Sequence, residues 1–132
     1  MEEKIVWTNG CFDIIHRGHI ELFRYAKSLG SKLYVGIDSD SRVKKLKGEQ
    51  RPINSEEDRR SVLDSIKYID KTFVFGSGIQ LEDLIKQINP SVLVVGSDWR
   101  GKDVIGGGHV ESVQFFERFG GYSTTKILES IP

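Results

Sequence analysis

A chain of 132 residues, 38% of them hydrophobic, has room for one well-filled core and not for two, so one domain over 1–132 is expected. Its 19 basic and 19 acidic residues cancel and no Lys/Arg stripe gathers on one face, which excludes extended nucleic-acid binding but leaves room for a small anion held by a few local cations. No apolar run reaches the length of a membrane span, no signal-peptide pattern opens the chain, and the single Cys11 excludes an internal disulfide; a soluble cytoplasmic protein is expected.

Short β-branched runs alternate with helical periods, the pattern of an α/β domain with a mostly parallel sheet. A strand is predicted over 5–8. A helix follows over 18–29 with Leu22, Phe23, Ala26 and Leu29 on one face, and Gly30 stops it. The second strand is 33–37. Pro52 and Asn54 mark a turn, after which Ser55 caps a helix through residue 65 with Val62, Leu63 and Ile66 facing inward. Residues 72–75 form the third strand, Leu81, Leu84, Ile85 and Ile88 stripe the next helix, and 92–95 is an apolar fourth strand. Residues 96–109 read as loop, 113–116 as the fifth strand, and Ser123 opens a last helix after Gly120 and Gly121. Parallel sheets bind ligands beyond the carboxyl ends of their strands, so the segments 9–19, 38–51, 96–109 and 117–125 are the ones to inspect.

The strongest chemical signal is Thr8-Asn9-Gly10-Cys11-Phe12-Asp13-Ile14-Ile15-His16-Arg17-Gly18-His19, between the first strand and the first helix. Gly10 and Gly18 let the backbone pass close to a ligand, and the new helix presents amides and a partial positive charge suited to phosphate. His16 and His19 both face that anion and can donate to oxygens whose charge grows during an in-line displacement. A lone histidine here is ordinarily a core or helix-entry residue; two flanking a glycine directly after a strand favour phosphate chemistry. Cys11, His16, His19 and His109 have the atom types for zinc but not its spacing, so no protein metal site is expected.

Other segments carry weaker signals. Ser123, Thr124 and Thr125 combine a helix cap with hydroxyls that can hold phosphates, and Arg118 can fork onto phosphate oxygens; a plain N-cap and a solvated arginine are the bland alternatives. Lys47 lies in a basic run, ordinarily a solvated face. Arg59 and Arg60 fit helix-surface ion pairs. Asp13 serves the site or its loop with equal merit. Asp98 and Trp99 follow a buried strand where base and ribose would lie, although Trp99 alternatively closes the core edge. His109 reads as a loop residue and Cys11 as packing.

The first of these segments resembles the HxGH signature of the cytidylyltransferase-like nucleotidyltransferases, and the resemblance extends over nearly the whole chain. Gly96-Ser97-Asp98-Trp99 is similar to the GxDW segment of glycerol-3-phosphate cytidylyltransferases, and Arg118-Phe119-Gly120-Gly121-Tyr122-Ser123-Thr124-Thr125 to their R-x-x-G-x-S-T-T motif. Leu46-Lys47-Gly48-Glu49-Gln50-Arg51-Pro52-Ile53-Asn54 is similar to the matching stretch of heptose-1-phosphate adenylyltransferase domains. The resemblance implies a Rossmann-like three-layer α/β sandwich with a five-stranded sheet, Mg²⁺ as cofactor, and a homodimer. It implies catalytic roles for His16, His19 and Lys47, and nucleotide contacts from Thr8, Asn9, Gly10, Phe12, Gly18, Gly96, Asp98, Trp99, Arg118, Tyr122, Ser123, Thr124 and Thr125. Asp13, Arg51, Arg59 and Lys67 are then expected at the acceptor. Lys67 stands where the glycerol-phosphate enzymes have arginine, and a lysine does not replace a bidentate fork.

The function so implied is transfer of a nucleoside monophosphate from ATP or CTP to a sugar or polyol phosphate, with a heptose-1-phosphate-like acceptor favoured and pyrophosphate released. Formation of CDP-glycerol is the alternative within the class, and a noncatalytic nucleotide-binding module the alternative outside it. A dinucleotide-dependent oxidoreductase is the weakest reading, because the first turn lacks the G-x-G-x-x-G fingerprint.

Overall fold

The computed structural model describes residues 3–117 together with 127 and 128. In chain order the elements are β1 (Ile5–Gly10), α1 (Arg17–Ser28), β2 (Lys32–Asp38), α2 (Asp40–Lys47), α3 (Glu56–Asp64), β3 (Lys71–Phe75), α4 (Gly78–Ile88), β4 (Val92–Gly96) and β5 (Ser112–Phe116). The five strands make one sheet in the order β3-β2-β1-β4-β5, and every pairing in it is parallel. Strand order therefore reverses between β1 and β4, where a crevice opens at the carboxyl rim.

Both faces of the sheet are covered, which is why β4 is apolar along its buried length. On one face Val6, Leu33, Val35, Ile37, Val92 and Val94 pack with Phe23 and Ala26 of α1 and Leu63 of α3. On the other, Trp7, Phe75 and Leu93 pack with Leu81 and Ile85 of α4. This is the three-layer Rossmann-like arrangement expected from the alternation of periods.

The caps follow from local chemistry. Ser55 accepts the Asp58 amide at 3.2 Å and Ser77 the Gln80 amide at 3.1 Å, each supplying an acceptor for an otherwise orphaned helix N–H. Asn89 closes α4 in the left-handed region at φ 53, ahead of Pro90.

Two sequence expectations are corrected. The segment after β2 is a helix, α2, and not a loop. Only Val43 of its eight residues is buried, so it has no apolar stripe to announce it. Ser39 caps it, Asp40 opens it, Lys44, Lys45 and Lys47 end it, and Gly48 follows at φ 105. Val62, expected inside, is 49% exposed, because the buried face of α3 is made by Arg59 and Leu63. An arginine occupies the inward position that a hydrophobic period would have given to an apolar residue.

Candidate active site

The segment between β1 and α1 lies at the carboxyl rim beside the β1/β4 crevice. Phe12 is in the left-handed region at φ 51, an unfavourable conformation for a bulky residue. Its ring is buried in the core against Phe23, with centroids 5.2 Å apart, and meets His19 edge-on at 5.5 Å. Phe12 thus braces His19 from below. Its side chain is not free to contact a nucleotide as expected.

His16 is the N-cap of α1, and the two histidines cap that helix reciprocally. The Gly18 amide donates to Nδ1 of His16 at 3.1 Å, while the His16 amide donates to Nδ1 of His19 at 3.2 Å. A ring nitrogen that accepts a backbone hydrogen bond carries no proton, so Nε2 carries it in each ring. The rings stack with centroids 3.8 Å apart and 26° between planes. Burial, then the neighbouring His16 and Lys47, pushes the pKa of His19 down to about 3. His19 is therefore a neutral imidazole with one N–H to offer. Gly18, in the first turn of α1, is buried and supplies the amide that His16 accepts.

Lys47 ends α2 above this pair. Its charge bears on Cys11 and Asp38 as well as on His19, which brings the lysine to the motif as the sequence anticipated. The fold brings together His16, His19 and Lys47 from two segments; the Gly18 amide is spent on His16, and the Phe12 ring lies where a side chain at Gly10 would stand.

Asp13 does not face the acceptor. Its carboxylate, wholly buried, accepts from Arg51 Nε at 3.1 Å, the Ile53 amide at 2.7 Å and the Asn54 amide at 2.8 Å, while Asn54 Nδ2 donates back to its carbonyl. Burial alone would raise its pKa, but the two amides and the Arg51 guanidinium outweigh burial and hold the carboxyl below its ordinary value. Asp13 fastens the loop before α3 to the segment that carries the two histidines. Arg51 spends only Nε on this pair: one of its terminal nitrogens, Nη2, is buried with no hydrogen-bond partner among the described residues.

Arg59 is a second correction. It is 1% exposed, and its guanidinium donates to the carbonyls of Asn54, Cys11 and Asp38 and to the Asp40 carboxylate, at 3.0, 2.9, 2.6 and 2.8 Å. It joins four segments around the site and has no free face for an acceptor phosphate. Asp40 in turn accepts the Glu56 amide while Glu56 accepts the Asp40 amide, a reciprocal clasp between the starts of α2 and α3. Burial raises the pKa of Asp38, against the opposing charges of Arg42, Lys47 and Arg59.

Lys67 lies in the turn leading to the start of β3, at the amino end of the sheet, where its ammonium sits 5.2 Å from the Tyr68 ring. That is the end opposite the histidines, so within this chain it cannot meet the same acceptor. The Thr8 side chain is also spent, its hydroxyl donating to the Val94 carbonyl at 2.8 Å across the β1/β4 crevice, which leaves only its backbone for a ligand. Asn9 accepts the Trp7 indole N–H through Oδ1 at 2.9 Å. Gly96 ends β4, and Asp98 and Trp99 occupy the turn after it; Trp99 is 45% exposed, so it stands out from the rim and does not close the core edge. His109 is a loop residue as expected, 3.0 Å from Glu82. Arg118, Tyr122, Ser123, Thr124 and Thr125 lie outside the described residues.

Sequence reasoning missed Asp38 and Asp40 as anchors of the site. The Ser39-Asp40 cap signal was legible; that Arg59 would bond to both residues was not.

Comparison with known proteins agrees with this geometry. The family model described as cytidylyltransferase-like matches residues 7–129. The chain is 47% identical over 128 residues to the bifunctional protein HldE of Wolinella succinogenes, covering 97% of this chain and 27% of that protein. It is 45% identical over 130 residues to HldE of Campylobacter concisus and also of Helicobacter pylori, covering 98% of this chain and 27% and 28% of theirs. It thus spans little more than a quarter of the length of these relatives. A solved structure, the lipopolysaccharide core biosynthesis protein from Thermoplasma volcanium, superposes with a TM-score of 0.72 at 23% identity, over 87% of this chain and 98% of that one, and so shares the fold. With the family model spanning almost its whole length and the histidine pair in place at the β1/β4 crevice, this chain belongs to the cytidylyltransferase-like family of nucleotidyltransferases.

Proposed function

We propose that this chain transfers the adenylyl group of ATP to the phosphate of a sugar phosphate of the heptose-1-phosphate type. An acceptor phosphate oxygen attacks the α-phosphorus, the bond to the bridging oxygen of the β-phosphate breaks, and pyrophosphate leaves. The observation that carries the reading is the reciprocal cap of His16 and His19, which turns both Nδ1 atoms to the backbone and fixes the two rings together at a helix start. Donors fixed in advance act where charge develops, at the α-phosphate oxygens. Lys47 adds a full positive charge beside them.

The preference for a sugar phosphate over glycerol phosphate rests on the 46–54 stretch and the identity with HldE proteins. The orphaned Nη2 of Arg51 supplies a donor in that same stretch, suited to an oxygen of the acceptor. Asp98, Trp99, Arg118, Tyr122 and the 123–125 hydroxyls remain our nucleotide contacts.

Magnesium enters this reading as counter-ion to the triphosphate and to the leaving pyrophosphate. Asp13, Asp38 and Asp40 are each already bonded to arginine, so in this reading the ion would be held chiefly by phosphate oxygens of the nucleotide. The family resemblance further implies a homodimer, which light scattering tests, and a cytoplasmic setting. Among the described residues no helix is long and apolar enough to cross a membrane.

The test is a pyrophosphate-release assay crossing ATP and CTP with a heptose 1-phosphate, hexose 1-phosphates and glycerol 3-phosphate. Release is expected with ATP and a sugar 1-phosphate. Turnover confined to CTP with glycerol 3-phosphate would replace this reading with CDP-glycerol formation, and no turnover with any pair would leave a nucleotide-binding module.

A further inference from the structure

Trp7 is wholly buried in the middle of β1, yet its indole N–H reaches beyond the core to Asn9 two residues on. The path is built into the neighbouring strand. Asn9 is paired in register with Gly36 of β2, and a Cβ at Gly36 would stand 2.5 Å from Cζ2 of Trp7. The indole therefore fills the space that a side chain at Gly36 would take, directly beside Asn9. Any residue other than glycine there would displace the ring from its partner.

Indole nitrogen only donates, so the Asn9 atom it meets at 2.9 Å is the carboxamide oxygen. The orientation of the amide is thereby settled, and its NH₂ end is turned away from Trp7. Among the described residues nothing accepts from that nitrogen. Asn9 is the last residue but one of β1, half-buried at the carboxyl rim where the strand hands over to the segment carrying His16 and His19. What faces the rim is a pair of uncharged donors with no acceptor beside them, and it lies at the strand-order reversal. The chemistry it fits is an acceptor-only one, phosphate oxygen above all.

We propose that Trp7 is a positioning residue of the nucleotide site, locking the Asn9 carboxamide so that its two N–H donors face the triphosphate oxygens of the donor nucleotide. This rests on the nucleotidyltransferase reading for the identity of the ligand, but its test reads binding and so is decided whether or not an acceptor is found. Asn9→Asp keeps an oxygen for Trp7 and turns a carboxylate toward the phosphates. Trp7→Phe keeps an aromatic ring in the core but removes the N–H that fixes the amide together with part of the indole's volume, so its effect is read against the same change in an Asn9→Ala background.

The experiment is calorimetric titration of the parent and variants with Mg-ATP and, separately, with inorganic tripolyphosphate. Asn9→Asp is expected to weaken both by ~10–100-fold, the loss of hydrogen bonds to a charged group. Trp7→Phe should weaken both by ~2–10-fold, as for one neutral hydrogen bond. In an Asn9→Ala background Trp7→Phe should have no further effect, since a residue that acts through Asn9 loses its influence when Asn9 is gone. An equal effect of Trp7→Phe in both backgrounds would make Trp7 a packing residue and overturn the proposal. So would an Asn9→Asp variant that binds tripolyphosphate at the parent level, whether ATP binding falls or not. Absence of pyrophosphate release from a parent that binds ATP overturns the transferase reading alone, and a parent that binds neither probe overturns both.

Discussion

The backbone N–H of His16 donates to Nδ1 of His19 at 3.2 Å, so the residue that begins α1 is held by the second histidine of its own motif. One side chain thus serves in the helix cap and, in the proposed reaction, as an oriented donor. Substituting His19 with alanine removes both roles, and the two losses are separable. Loss of a preorganised transition-state donor lowers kcat by ~10²–10³. Loss of the cap costs ~1 kcal/mol of stability. Steady-state kinetics with urea denaturation should show both, with ATP affinity within a few-fold of the parent. The double variant with His16→Ala should lose less than the sum, because the pair serves one group.

Protonation of His19 separates its stability effect from its catalytic one. Its folded pKa, about 3, lies far below the ordinary 6.5, so the folded chain disfavours the charged form. Above pH 6.5 neither state binds the proton and nothing is lost. As pH falls from 6.5 toward 3 the unfolded chain takes up a proton that the folded chain refuses, and stability declines by up to ~1.4 kcal/mol per pH unit from this group. The melting temperature of the parent should fall relative to that of His19→Asn over this window. Across pH 5–8 the kcat profile should show no inflection from His19; a limb there that disappears in His19→Asn would contradict a neutral imidazole.

Asp13 and Arg51 form a pair whose carboxylate is wholly buried and whose guanidinium is 15% exposed. Asp13→Ala leaves that guanidinium and two backbone amides without their acceptor, a loss of ~3–5 kcal/mol by analogy with other broken buried pairs. Denaturant titration should register this, and hydrogen exchange at the Ile53 and Asn54 amides should accelerate more than in the sheet. With a folded pKa below the ordinary carboxylate value, the contribution is present above about pH 4 and fades as pH falls through the folded pKa.

Arg59→Ala should behave as a fold variant. Its four hydrogen-bond acceptors come from the loop after β1, the last residue of β2, the start of α2 and the turn before α3, so its removal should cost ~3–5 kcal/mol. Arg59→Lys should recover little, since an ammonium lacks the planar spread of donors. A variant with the parent's stability and a raised acceptor KM alone would restore Arg59 to the acceptor.

How much of this was legible in the sequence differs by residue. His16 and His19 were, because a glycine between two histidines after a strand places them at one helix start whatever else the chain does. The sheet was legible from β-branched runs such as Val92–Gly96. α2 was not: with Val43 alone facing inward, its evidence lay in its ends, Ser39 and Gly48, and not in its period. Arg59 was placed at the acceptor by the family resemblance, while its own spacing suggested a helix-surface ion pair. That it is instead a buried tie depends on Cys11, Asp38, Asp40 and Asn54, which only the folded topology brings together. Val62 was misplaced by the same error, since an apolar period assumes that the inward position of α3 is apolar.

The loop from α2 to α3 is fastened at two points. At its start the Gly48 amide bonds back to Lys44, and from Arg51 onward it is clasped by Asp13. Gly48, Glu49 and Gln50 between those points are exposed. An inserted or altered residue there is absorbed as added contour between two fixed posts, without shifting the histidines. The same change one residue later would pull on Asp13 and, through it, on the catalytic segment. Divergence in acceptor preference among such enzymes has a narrow stretch in which to accumulate, and directed variation for new acceptors is best begun at 49 and 50, since Gly48 at φ 105 holds a conformation that favours glycine.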